Sequence, residues 1–114
     1  MTTMSDCLFC KIIAGEIPGN VVFENDKVFA FRDINPQAPV HVLIVPRKHM
    51  SNVLECDGET AAALTDAIRE IASKEGVAES GFRVISNCGH DGAQSVNHLH
   101  VHLLGGKALP EQMG

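Results

Sequence analysis

The chain has 114 residues, 45% hydrophobic and 20% charged, which suits one folded domain (1–114) that buries a core without cross-links and excludes a disordered polymer. Nine Lys and Arg against 14 Asp and Glu give a formal charge of −5, and there is no Trp or Tyr; the basic footprint and stacking surface of a nucleic-acid binder are both missing. No apolar run approaches the roughly 18 residues of a membrane span and the opening residues lack a secretory pattern, so the expectation is a cytoplasmic protein with neither membrane nor nucleic acid as partner.

Taken in chain order, Asp6 caps a short helix that runs to Gly15, with Leu8, Ile12 and Ile13 at helical spacing. It carries Cys7 and Cys10, a C-x-x-C pair that fits a metal clip or a redox couple. Val21–Glu24 and Val28–Arg32, separated by Asn25-Asp26, form a hairpin. The prolines of Asn35–Pro39 break regular structure, and His41–Val45 is a buried strand closed by Pro46. A long helix is expected from Glu59 to Glu75, stopped by Gly76. Its apolar stripe is Leu64, Ala67, Ile68, Ile71 and Ala72, and Glu70–Lys74 is a favourable pair on its polar side. Phe82–Ser86 is a further strand, Asn87–Ser95 a polar glycine-bearing loop, and Asn97–Leu104 a strand by strict alternation. The sum is an α+β domain: an antiparallel sheet of about five strands with one long and one short helix, the long one on one face and a polar site on the other.

His98, His100 and His102 share one face of the last strand, while Leu99, Val101 and Leu103 take the opposite face. Three aligned imidazoles are expensive to bury as packing. They can serve as metal ligands, or one ring can act as a nucleophile while its neighbours set its tautomer. Upstream, Gly89, Gly92 and Ala93 permit close approach of main-chain N–H groups to a phosphoryl oxygen, with Gln94 and Ser95 closing the loop. Such a site takes one phosphate group without needing a basic surface.

The run Gln94–Leu104 resembles the histidine triad (HIT) pattern, His-φ-His-φ-His-φ-φ with φ hydrophobic. Asp33–His49 is similar to the family's second signature, and Cys7–Ile13 with Glu16-Ile17-Pro18 to its first, so the resemblance spans about residues 6–106. Within the family it is most similar to the Hint-type branch of nucleotide-binding proteins. The resemblance implies a HIT-like fold, a homodimer with one continuous sheet, and a hydrolase that binds purine mononucleotides. Such an enzyme cleaves nucleoside phosphoramidates or related nucleotidyl conjugates through a nucleotidyl-histidine.

It makes His100 the nucleophile, its second ring nitrogen held by a backbone carbonyl near His102, with His102 and His41 alongside and Ser95 assisting the leaving group. Asp33 would hold the ribose and Ile34 lie beside the base, with Asn87, Ala93, Gln94 and Ser95 on the phosphate side. Leu8, Phe9, Ile12, Ile17 and Phe31 would line the base slot. The resemblance also implies a structural zinc held by Cys7, Cys10, His49 and His98, with no metal required for the chemistry. The rival readings are a dinucleoside polyphosphate hydrolase using the same His100, a nucleotide-binding interaction module, and a metalloenzyme liganded by His98, His100 and His102. The chain departs from the family in its short Trp-free tail and in Asn97, which stands where an aromatic is often found. Cys56, Cys88 and His90 receive no role.

Overall fold

A computed structural model describes residues 7–112, so the expected cap at Asp6 lies outside the described residues. The first helix, α1 (Leu8–Ile13), is capped instead by the Cys7 sulfur, which accepts the Cys10 N–H at 3.3 Å. The hairpin strands β1 (Val21–Glu24) and β2 (Val28–Arg32) fall where the alternation puts them. Between them Asn25 Oδ1 accepts the N–H groups of Lys27 and Val28, both at 2.9 Å, and so closes the turn with its own side chain.

Strand β3 (Val40–Pro46) leads through a 3-10 turn (Val53–Glu55), which no pattern in the sequence signals, to α2 (Gly58–Lys74). Asp57 caps α2 by accepting the Thr60 N–H at 2.7 Å. At the far end Gly76 takes a left-handed φ of +73°, which lets the Val77 N–H reach the Ala72 carbonyl at 3.0 Å. Strands β4 (Phe82–Ile85) and β5 (Val101–Gly105) complete a five-stranded sheet in the order β1-β2-β3-β5-β4, with every pairing antiparallel.

Helix α2 lays Ala63, Leu64, Ala67, Ile71 and Ala72 onto Val28, Ala30, Val42, Ile44 and Leu103 of the sheet and onto Leu99 just before β5. On the opposite face Phe29, Phe31, Leu43 and Val45 pack beneath Phe9 of α1. The anticipated Glu70–Lys74 pair is absent among the described residues: Lys74 donates instead to the Val22 carbonyl on β1, and Asp66 pairs with Arg69 at 2.7 Å. No helix among the described residues is long and apolar enough to cross a membrane.

The last strand is shorter than its alternation suggests, because β5 begins only at Val101. Pro46 ends β3 without an N–H to offer, its carbonyl is taken by the His98 ring at 2.9 Å, and the Leu99 N–H turns to the Met50 carbonyl at 2.7 Å. The ladder therefore stops, but the side chains keep alternating. Leu99 and Leu103 still enter the core under α2, and the three histidines stay on the other side.

Candidate active site and metal cluster

His98 donates its Nε2–H to the Pro46 carbonyl, which leaves the Nδ1 lone pair facing inward. That nitrogen lies 3.2 Å from Cys7 Sγ, 3.5 Å from Cys10 Sγ and 3.2 Å from His49 Nδ1, and Cys10 Sγ is 3.3 Å from His49 Nδ1. An ion bonded at roughly 2.0–2.1 Å to nitrogen and 2.3 Å to sulfur has tetrahedral edges of about 3.3 Å (N–N) and 3.5 Å (N–S). The four side chains thus already stand at the corners of such a site. Without a cation the thiolate form is disfavoured: burial first, then the hydrogen bond and charge of Cys7, push the Cys10 thiol up to about 11. The donor set fits a divalent metal in a closed S2N2 site.

His100 is next in the row. Its Nδ1 donates to the main-chain carbonyl of His98 at 2.8 Å, so the carbonyl that sets its tautomer belongs to His98 and not to a residue near His102. Nε2 consequently carries the lone pair. Among the described residues Nε2 has no hydrogen-bond partner and no side-chain nitrogen or oxygen is both buried and unpaired, so this atom is where the ring, 3% exposed, reaches the surface. The His100 carbonyl is in turn held by the Ser86 hydroxyl at 3.1 Å.

His102 and His41 form a relay. The Gln37 main-chain N–H donates to His41 Nδ1 at 3.0 Å, which places the His41 proton on Nε2. That Nε2–H points to His102 Nδ1 at 3.0 Å, with Asp33 Oδ2 at 3.4 Å as a second acceptor. His102 is left with a proton on its own Nε2. Burial, together with the charges His100 and His41 would carry, pushes His102 down to about 4; burial also lowers His41, partly opposed by Asp33. Both rings are neutral near pH 7. Because the Gln37 N–H occupies one nitrogen of His41, the convergence of Asp33, His41 and His102 is a hydrogen-bond chain and not a metal site. Nor do His98, His100 and His102 converge on a common point among the described residues, which overturns the metalloenzyme reading of the triad.

Beside this relay lies a cleft of about 300 Å³, lined by Gln37, His41, Arg83, Ile85, Asn87, His102, Leu104, Leu109 and Pro110. Arg83 holds residues 110–112 against it, donating to the carbonyls of Pro110 at 2.5 Å and Gln112 at 3.4 Å. Of the anticipated phosphate-side residues, Asn87 reaches the cleft while its Nδ2 donates to the Gly92 carbonyl at 2.7 Å. Gln94 is turned inward. It accepts the Gly89 N–H and donates to the carbonyls of Ser51 and Val96, so it shapes the loop. Ala93 adopts a left-handed φ of +59°, and Ser95 is exposed with no side-chain hydrogen bond among the described residues. Gly92 lies against the backbone of Cys88, so its missing side chain serves the loop's own closure.

Asp33 accepts the Asn35 N–H at 2.8 Å, and Ile34 beside it is 95% exposed. Leu8 is exposed and Ile12 and Ile17 are half-buried, whereas Phe9 and Phe31 are packed away edge to face at 5.5 Å. Phe9 also abuts the rings of His98 and His100, at 5.9 and 5.1 Å. His90 is solvent-exposed beside Asp91. Sequence reasoning did not find Arg83, Ile85, Ser86, Leu109 or Pro110; only the approach of the tail to β4 brings the cleft walls together.

The chain is 46% identical over 107 residues to the purine nucleoside phosphoramidase of Escherichia coli, covering 91% of this chain and 90% of that protein. It is also 46% identical over 110 residues to the 14 kDa zinc-binding protein of Zea mays, covering 92% and 85%. Among solved structures, the histidine triad protein from Clostridium difficile superposes with a TM-score of 0.91 at 46% identity, covering 99% of this chain and all of that one. Residues 14–109 match the HIT domain, and the chain belongs to the HIT domain family.

Proposed function

We propose that this HIT-family hydrolase cleaves purine nucleoside phosphoramidates and related nucleotidyl conjugates through a nucleotidyl-His100 intermediate. The observation that carries the reading is the 2.8 Å bond from His100 Nδ1–H to the His98 carbonyl, which makes Nε2 the free, electron-rich nitrogen. Nε2 attacks the α-phosphorus and the P–N bond to the leaving amine breaks, the amine taking a proton from solvent that the hydrolytic water later returns. The neutral His102, with hydrogen on Nε2 and His41 behind it, supports the charge that gathers on the phosphoryl oxygens. Water then attacks the same phosphorus, the bond to His100 breaks, and the mononucleotide leaves. Asp33 and the exposed Ile34 take the ribose and base, Asn87 and the N–H groups around Ala93 the phosphate, and Ser95 lies on the leaving-group side.

The Cys7–Cys10–His49–His98 cluster holds zinc in this reading. When bound, the ion supplies a closed structural cross-link with no position open to substrate. The protein works as a homodimer joined at β4, whose Phe82 and Val84 are 37% and 46% exposed at the sheet edge.

Replacing His100 by Gly tests the assignment. Turnover of an adenosine phosphoramidate should fall by at least about a thousandfold, AMP binding by calorimetry should persist, and the quenched wild-type enzyme should gain the mass of one nucleotidyl group that the variant lacks. Turnover retained in His100→Gly overturns the reading.

A further inference from the structure

Two separate contacts run from the Cys/His cluster into the ring of His100. His98 is fully buried and has both ring nitrogens committed, Nδ1 to the cluster and Nε2 to the Pro46 carbonyl, so its backbone has little freedom. The carbonyl of that same residue accepts the Nδ1–H of His100. The second contact is Phe9. It lies between Cys7 and Cys10 on α1, is 4% exposed, and presses edge to face on His98 and on His100, the latter at 5.1 Å and 82°. A clip that merely fastened α1 to the sheet could sit anywhere along the helix. Here one member of the cluster, His98, and the residue between two others, Phe9, abut the reacting ring.

We propose that metal occupancy of the Cys7–Cys10–His49–His98 cluster positions His100, fixing its tautomer through the His98 carbonyl and its orientation through Phe9. This rests on the reading of His100 as nucleophile. With the ion removed, only weak sulfur and imidazole contacts hold the four side chains together, so His98 is freer to turn and α1 to withdraw. The first moves the carbonyl that holds Nδ1–H; the second removes Phe9. The first costs His100 its tautomer bias and the second its orientation, so in either case the fraction with a free, correctly aimed Nε2 falls. Phe9 and His98 are then positioning residues, acting on the substrate only through His100.

The test compares zinc-loaded with zinc-stripped protein, uniformly labelled with nitrogen-15, by nuclear magnetic resonance at one fixed pH. The loaded protein should show His100 as one tautomer with a slowly exchanging Nδ1–H. The stripped protein should show its two ring nitrogens averaging while the amides of β2 and β3 stay in place. Unchanged His100 signals in a stripped but folded protein overturn the proposal. If stripping also dissolves the sheet signals, Phe9→Leu in the loaded protein decides. Its zinc content and KM should match wild type while kcat falls roughly tenfold to a hundredfold. An unchanged kcat, or a raised KM with kcat intact as for a base-lining residue, overturns it. The two readings separate cleanly: a zinc-dependent His100 tautomer in a chain with no hydrolase activity refutes the proposed function alone, and an active chain whose His100 ignores the ion refutes the coupling alone.

Discussion

His41 lies buried with its Nδ1 against the main-chain N–H of Gln37, and that bond decides the direction in which the His41–His102 relay is polarised. Gln37→Pro removes the N–H and Gln37→Ala keeps it. The proline variant should lose roughly tenfold in kcat, as His41 becomes free to present its lone pair to His102, while the alanine variant should stay near wild type by steady-state kinetics. The relay also carries a pH signature. The His102 pKa of about 4 in the folded chain lies below the usual 6.5 of the unfolded one, and His41 shifts the same way. Between those values the unfolded chain takes up a proton that the folded chain refuses. Stability is therefore full above about pH 6.5 and falls as the pH drops towards 4. The urea midpoint should decrease from neutral to mildly acid pH, and His102→Gln should flatten that decrease; zinc ligation is shared by both proteins and drops out of the comparison.

Alternation and punctuation made most elements readable. β1 and β2 follow from apolar spacing around Asn25, and α2 from its stripe and Gly76, displaced by one residue because Asp57 is the cap. The histidine row was equally legible, since a period of two reports which way side chains face. It does not report hydrogen bonding, which is why His98–His100 lie outside the ladder. The groups that set each tautomer were hidden for a plainer reason: the Gln37 N–H and the carbonyls of Pro46 and His98 are backbone atoms, with no residue-type signal. Gly92 shows the same limit. Its permissiveness suggested approach to phosphate, yet a β-carbon there would strike the carbonyl oxygen and nitrogen of Cys88. Gly92→Ala should therefore distort the Asn87–Gln94 loop and lower kcat/KM roughly tenfold, with the melting temperature nearly unchanged because the loop is exposed; wild-type kinetics in this variant would mean the loop does not shape the site.

The two free edges of the sheet are treated differently. β1 is a four-residue strand whose Val22 carbonyl is capped by the Lys74 ammonium and whose Glu24 is paired with Arg47 at 2.9 Å, so it offers a poor template for another strand. β4 carries Phe82 and Val84 on its α2-facing side, both partly exposed, and lies beside the strand that bears His102. Pairing β4 with its copy would extend the sheet across two protomers and cover those side chains, bringing two clefts to the centre of one assembly. Val84→Lys places a charge where that contact forms without altering the direction in which the strand's backbone groups point. In sedimentation experiments the wild-type chain should run as a dimer and Val84→Lys as a folded monomer with the same circular dichroism. A wild-type chain that stays monomeric at every concentration, or a Val84→Lys dimer as tight as wild type, removes β4 as the joining edge.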